Sequence, residues 1–217
     1  MSKVVKYAQL VQQRKQFKFS DGLLNPVQIE NGIYDQAHLG PWAVWQGNLD
    51  AKILLLGQDW GDVTYFLKYK GCDRDENLTN KNLVELFRVI GIDIGSPSQP
   101  NPIAPTFFTN AILGIKKEGG LAGKVSQSWA RESTEAFLKP LLEIIDPEII
   151  ITLGTLAYNE IAFIYSLPRK PLKKLVGENP IFLKDNKRLY ARYHCGGLGL
   201  ANRNFALQKQ DWKMITF

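Results

Sequence analysis

Four polar residues stand just beyond runs that read as strands: Gln58 and Asp59 after 52–56 and Gly57, Asn110 after 106–109, and His194 after 188–193. A carboxylate and an imidazole are side chains that move protons or stabilise developing charge near neutral pH. A planar amide carries a donor and an acceptor side by side, which suits Asn110 to the edge of a flat hydrogen-bonding ring. In open α/β sheets, ligands collect at the carboxyl ends of strands, where loops converge beside helix N-termini. Taken singly, Asp59 reads as a cap or turn residue, Asn110 as a turn residue and His194 as a structural histidine. Their joint position at strand ends is what argues for a site.

The elements that must hold these residues are visible as apolar patterns. Segment 52–56 is a short apolar run of the buried-strand type, 106–109 is β-branched and aromatic, and 148–153 is nearly all isoleucine at its apolar positions. Segment 188–193 is a fourth strand, and 181–183 reads as a hairpin or edge segment. Between them lie helical spacings. Thr79 caps a helix through Leu83, Leu86, Phe87 and Ile90 that Gly91 closes. Trp129, Phe137, Leu138, Leu141, Leu142 and Ile145 carry another, bent or restarted at Pro140 and stopped by Asp146-Pro147. Gly154 opens a third through Leu156, Ala157, Ile161 and Ile164, and Ala201, Phe205 and Trp212 mark a closing helix. Alternating strands and helices predict one domain over 1–217, a three-layer α/β/α sandwich around a central, mostly parallel four-stranded sheet.

Composition narrows the partners. The formal net charge of +6 and a pI near 9.2 favour a polyanion such as nucleic acid. Two cysteines, Cys72 and Cys195, are too few for a disulfide framework or a thiolate cluster, and two histidines with no metal-like carboxylate spacing predict neither metal nor cofactor. No apolar run approaches the roughly 20 residues of a membrane helix and no secretory signal is present, so a cytoplasmic monomer without a membrane partner is expected. A phosphate-cradling Gly-x-x-x-x-Gly-Lys-Ser/Thr loop is absent, which counts against an unrelated nucleotide-binding protein.

The order of these segments resembles the uracil-DNA glycosylase superfamily. Gly57-Gln58-Asp59 matches the Gly-Gln-Asp start of its first motif, although Trp60, Gly61 and Asp62 replace the following Pro-Tyr-His. Phe107-Phe108-Thr109-Asn110 is similar to the strand whose last asparagine reads the base, and 147–157, with Leu153-Gly154, resembles the Pro-(apolar run)-Leu-Gly-x-x-Ala segment. The family's His-Pro-Ser-Pro-Leu appears as His194-Cys195-Gly196-Gly197-Leu198, with the spacing kept and the prolines lost. The four-cysteine iron–sulfur cluster of one branch is excluded on count.

The resemblance implies a DNA glycosylase that flips a deaminated base, uracil foremost, out of DNA and hydrolyses its bond to the sugar. It gives Asp59 the task of orienting or deprotonating a water and stabilising charge on the sugar, and His194 that of donating to the carbonyl of the departing base. Asn110 would read the base, with Gln58, Trp60 and Phe66 completing the pocket; Phe66 is the favoured stacking partner over Tyr65 and Tyr69, and Trp60 narrows the pocket. Leu198, on the loop with Gly196 and Gly197, would fill the gap left in the stack. Lys116, Lys117 and Arg203, with Lys124, Arg169, Lys170, Lys173 and Lys174, are the expected phosphate contacts. A protein that keeps the fold and binds DNA without turnover, and a glycosylase for another deaminated or mismatched base, are the alternatives.

Overall fold

The computed structural model describes residues 1–121, 123–178 and 180–217. Five strands form its central sheet: Ile53–Gly57 (β1), Thr106–Asn110 (β2), Ile149–Leu153 (β3), Ile181–Phe182 (β4) and Arg188–Arg192 (β5), in the order β2-β1-β3-β5-β4. Every residue of β1, β2 and β3 is buried, which is the burial that parallel strands covered on both faces require. β1, β2, β3 and β5 run parallel. The expected sheet of four strands is thus corrected to five: β4 pairs antiparallel with β5, placing Ile181 opposite Leu189 and Phe182 opposite Arg188. A two-residue edge strand is too short to show any alternation in sequence, which is why 181–183 reads only as an edge or hairpin.

Helices fill the connections: Lys3–Gln16 (α1), Pro41–Trp45 (α2), Val63–Tyr69 (α3), Leu78–Val89 (α4), Gln127–Ser133 (α5), Lys139–Ile145 (α6), Thr155–Ile164 (α7), Leu172–Leu175 (α8), Gly197–Asn202 (α9) and Phe205–Lys213 (α10). The strands' alternating side chains divide the core in two. Leu54, Leu56, Phe107, Ile150 and Leu189 face α1, α6 and α7, whereas Ile53, Leu55, Phe108, Ile151 and Tyr190 face Trp42, Leu83, Leu86, Phe87 and Trp212. Helices therefore cover both faces of the sheet.

Local chemistry sets the boundaries. Asn77 rather than Thr79 caps α4, its side chain accepting from the Thr79 N–H, because a cap lies before the first helical turn and the helix starts two residues earlier than a Thr79 cap implies. α5 and α6 are joined by a π turn, Thr134–Leu138, just before Pro140, which has no N–H to continue a regular ladder. Asp146 then turns left-handed at φ 55° and ends α6. On α1 the buried Arg14 pairs with Asp35 at 2.5 Å and donates to the carbonyls of Gln36 and His38, fixing the loop that delivers α2 and Trp42. Among the described residues, no helix is long and apolar enough to cross a membrane.

Candidate functional site

The parallel register levels the carboxyl ends of the sheet. Gly57 pairs with Asn110, Leu56 with Thr152, and Leu153 with Arg192, so Gln58, Gly154 and Tyr193 leave the sheet side by side. A cavity of about 390 Å³ opens there, within the size range of small-ligand sites. Gln58, Asp59 and Trp60 form one wall, and His194, Gly196, Gly197 and Leu198 another. The start of α4 and the loop before it, with Asp73, Asn77 and Asn80, make a third.

Asp59 is held by two hydrogen bonds and an ion pair. Its Oδ2 accepts from Gln58 Nε2 at 2.9 Å, and its Oδ1 accepts from the Gly61 N–H at 2.9 Å and lies 2.9 Å from Lys116 Nζ. A carboxylate offers about four acceptor positions, so one on Oδ2 is left over. The Lys116 side chain is 1% exposed and that of Asp59 4%, which corrects the expectation that Lys116 meets phosphate. It lies instead in a short ribbon, Ile115–Lys116 against Leu23–Leu24, with its backbone also paired to that of Asp62, and its buried ammonium meets Asp59.

His194 owes its tautomer to the loop that follows it. The Gly196 N–H donates to Nδ1 at 3.0 Å, so a neutral ring carries its proton on Nε2. Burial pushes the His194 pKa below the usual histidine value, and the nearby negative charge of Asp59 pulls part of the way back. Two glycines make this loop possible. A Cβ on Gly199 would lie 1.6 Å from the His194 carbonyl oxygen, and one on Gly196 would lie 2.7 Å from Thr79 Oγ1. Leu198 stands at the rim, 70% exposed, and is not in the core.

Asn110 is not brought onto the cavity wall. Its residue is buried and its amide lies against Gly57, where a Cβ would sit 2.8 Å from Nδ2 and 2.6 Å from the Trp42 ring. Trp42, which does line the cavity, packs over the same glycine. The strand register thus places Asn110 beside the site, while the indole takes the wall position.

Phe66 is corrected likewise. It is a core residue packed edge-on beneath Trp60, with ring centroids 5.8 Å apart at 81°, because consecutive positions of α3 point about 100° apart and only Tyr65 turns to the cavity. Trp60 lines the wall as expected and donates from Nε1 to Asp73 Oδ2 at 3.1 Å.

The expected phosphate contacts divide. Lys117 is exposed beside Asp21, at 2.7 Å, and Lys124 is exposed on the loop whose Leu121 lines the cavity. The guanidinium of Arg203 is committed to Asp211, in a two-pronged pair at 2.5 and 2.7 Å. Arg169, Lys170, Lys173 and Lys174 are off the cavity: Leu172 and Leu175 anchor α8 on the sheet face opposite Trp42 and Trp60. The clustering of basic residues in sequence carries no information about which face they occupy.

Residues missed by the sequence reading come chiefly from 73–80. Asp73 accepts from Trp60 and, through Oδ1, from Asn80 Nδ2 at 3.1 Å. Burial pushes its carboxyl above the usual carboxylate range, against the lowering effect of those two donors. Asn77 donates to the Tyr65 hydroxyl at 2.8 Å while capping α4. Five Asp or Asn residues between 73 and 82 are an excess over what one turn and one cap need, and that excess was the available signal. Among the described residues, no three His, Cys, Asp or Glu side chains cluster as a metal site requires. No family model and no curated protein matches the chain.

Proposed function

We propose that this chain is a DNA glycosylase of the uracil-DNA glycosylase type, with that family's fold, which extrudes a deaminated base and hydrolyses its N-glycosidic bond. One observation carries the reading: Asp59 and His194, far apart in sequence, line one base-sized cavity at the carboxyl ends of parallel strands. A base that leaves as a stabilised anion needs less acid help than a sugar oxygen, so the paired carboxylates of ordinary glycosidases are not required. The C1′–N bond breaks and its electron pair goes to the base. Water adds to C1′, oriented by the acceptor position left on Asp59 Oδ2, and its proton is lost to the carboxylate or to solvent.

His194, neutral with its proton on Nε2, donates to the base carbonyl where negative charge gathers. Extrusion costs a few kcal/mol, least for damaged pairs, and the exposed Leu198 fills the vacated stack. Lys117 and Lys124 are the phosphate contacts of this reading. The fixed Asp59–Lys116 pair and the displaced Asn110 favour a second reading, in which the protein binds DNA without turnover.

Oligonucleotides holding a single uracil, hypoxanthine or xanthine, single-stranded and opposite each base, decide between them. Alkali-sensitive abasic sites should form, uracil being the first substrate, with Asp59→Asn and His194→Gln each slowing release by about a hundredfold or more. Salt-sensitive binding with no base release from any substrate would establish the second reading. Unchanged rates in both variants would discard the site.

A further inference from the structure

We propose that Asp73 and Asn80 select the base, reading a ring N–H beside a carbonyl, and that they replace Asn110 in that task. The ligand class rests on the glycosylase reading; the wall itself stands on geometry. Asn80 is 1% exposed, lines the cavity, and leaves its Oδ1 buried with no hydrogen-bond partner among the described residues. Its orientation is committed: Nδ2 donates to Asp73 Oδ1 at 3.1 Å and to the Arg74 carbonyl at 2.9 Å, and flipping the amide would set oxygen against both acceptors. Asn80 Oδ1 is therefore a fixed acceptor, and a buried acceptor without a donor is destabilising until a ligand supplies one.

Asp73 stands beside it and, among the described residues, accepts from Trp60 Nε1 and Asn80 Nδ2 and from no cation. Burial pushes its carboxyl above the usual carboxylate range, and in the protonated form it offers an O–H donor on the same wall as the Asn80 acceptor. Acceptor beside donor matches N–H beside C=O. Deamination creates that edge: N3–H and O4 where cytosine has a bare nitrogen and an amine, N1–H and O6 where adenine has the same. The walls thus divide the work, with Asp59 and His194 at the bond to be broken and Asp73 and Asn80 at the edge to be recognised.

Free bases test this without turnover, using quenching of the indoles that line the cavity. 1-Methyluracil keeps the N3–H and carries its methyl where the sugar belongs; 3-methyluracil blocks the N–H. The wild-type protein should bind uracil and 1-methyluracil alike and 3-methyluracil about tenfold or more weakly. Asn80→Ala and Asp73→Asn should abolish the discrimination, and Asn110→Ala should keep it. Equal binding of the two methylated bases by wild-type protein, or no binding of either, overturns the proposal even if a variant fails to fold. Discrimination without uracil release from DNA would sink the glycosylase reading and leave the wall; release without discrimination would do the reverse.

Discussion

The ion pair between Asp59 and Lys116 has almost no contact with water on either side. Removing one partner of such a pair leaves an uncompensated charge in a medium that solvates it poorly, which costs roughly 3–5 kcal/mol, whereas removing both costs far less. Lys116→Met should therefore lower the unfolding free energy by about 3 kcal/mol or more, and Asp59→Asn combined with Lys116→Met should lose less than the sum of the single changes. Denaturant titration of the three variants measures this. Strict additivity would mean that the two groups do not share their charge and that Lys116 has another counter-ion. The pair also explains why the sequence misplaces Lys116. Two lysines in succession look alike on paper, but the side chain of 116 is buried against Asp59 and that of 117 is exposed beside Asp21.

At the scale of elements, the loop 194–199 and the helix α9 it starts form the least forgiving part of the site. A Cβ at Gly199 would overlap the His194 carbonyl at 1.6 Å, while Gly197 has nothing within 4 Å of its Cβ position. Gly199→Ala should displace the imidazole and reduce base release by about a hundredfold, the effect expected of an ångström of misplacement, whereas Gly197→Ala should stay near wild type. Comparing the rates with the ring-proton shifts of His194 checks the cause: a slow Gly199→Ala with an unmoved His194 signal would break the link. Elements of this kind differ in how legible they are. β1 and β3 show in sequence because continuous burial demands continuous Ile and Leu, and the register of β1, β3 and β5 brings Asp59 and His194 together. The 73–80 wall does not show, because Asp and Asn serve turns, caps and ligands with the same side-chain groups. The swap of Asn110 for Trp42 was equally hidden: α2 is set at the site by contacts between distant segments that no local pattern records, the Phe108 N–H donating to the Gln46 carbonyl just past the helix and Arg14 holding the loop before it.

Across the whole molecule, the formal net charge is +6, and net charge alone does not say where a polyanion lies. Two exposed pairs of cations separate the alternatives. Lys117 and Lys124 flank the loop whose Leu121 lines the cavity, and Lys173 and Lys174 ride on α8, across the sheet from Trp42 and Trp60. Screening limits each charge to a reach of about 8–10 Å at ordinary ionic strength, so α8 contributes little at the cavity mouth. Removing one cation that neutralises a phosphate should flatten the plot of log binding constant against log salt by about 0.9 on duplex DNA. Lys117→Ala with Lys124→Ala should therefore reduce that slope by nearly two, less whatever Lys117 already gives to Asp21. Lys173→Ala with Lys174→Ala removes the same two charges and should leave the slope unchanged. If both double variants weaken binding equally, the attraction belongs to the molecule's total charge, and the cavity mouth is not the DNA face.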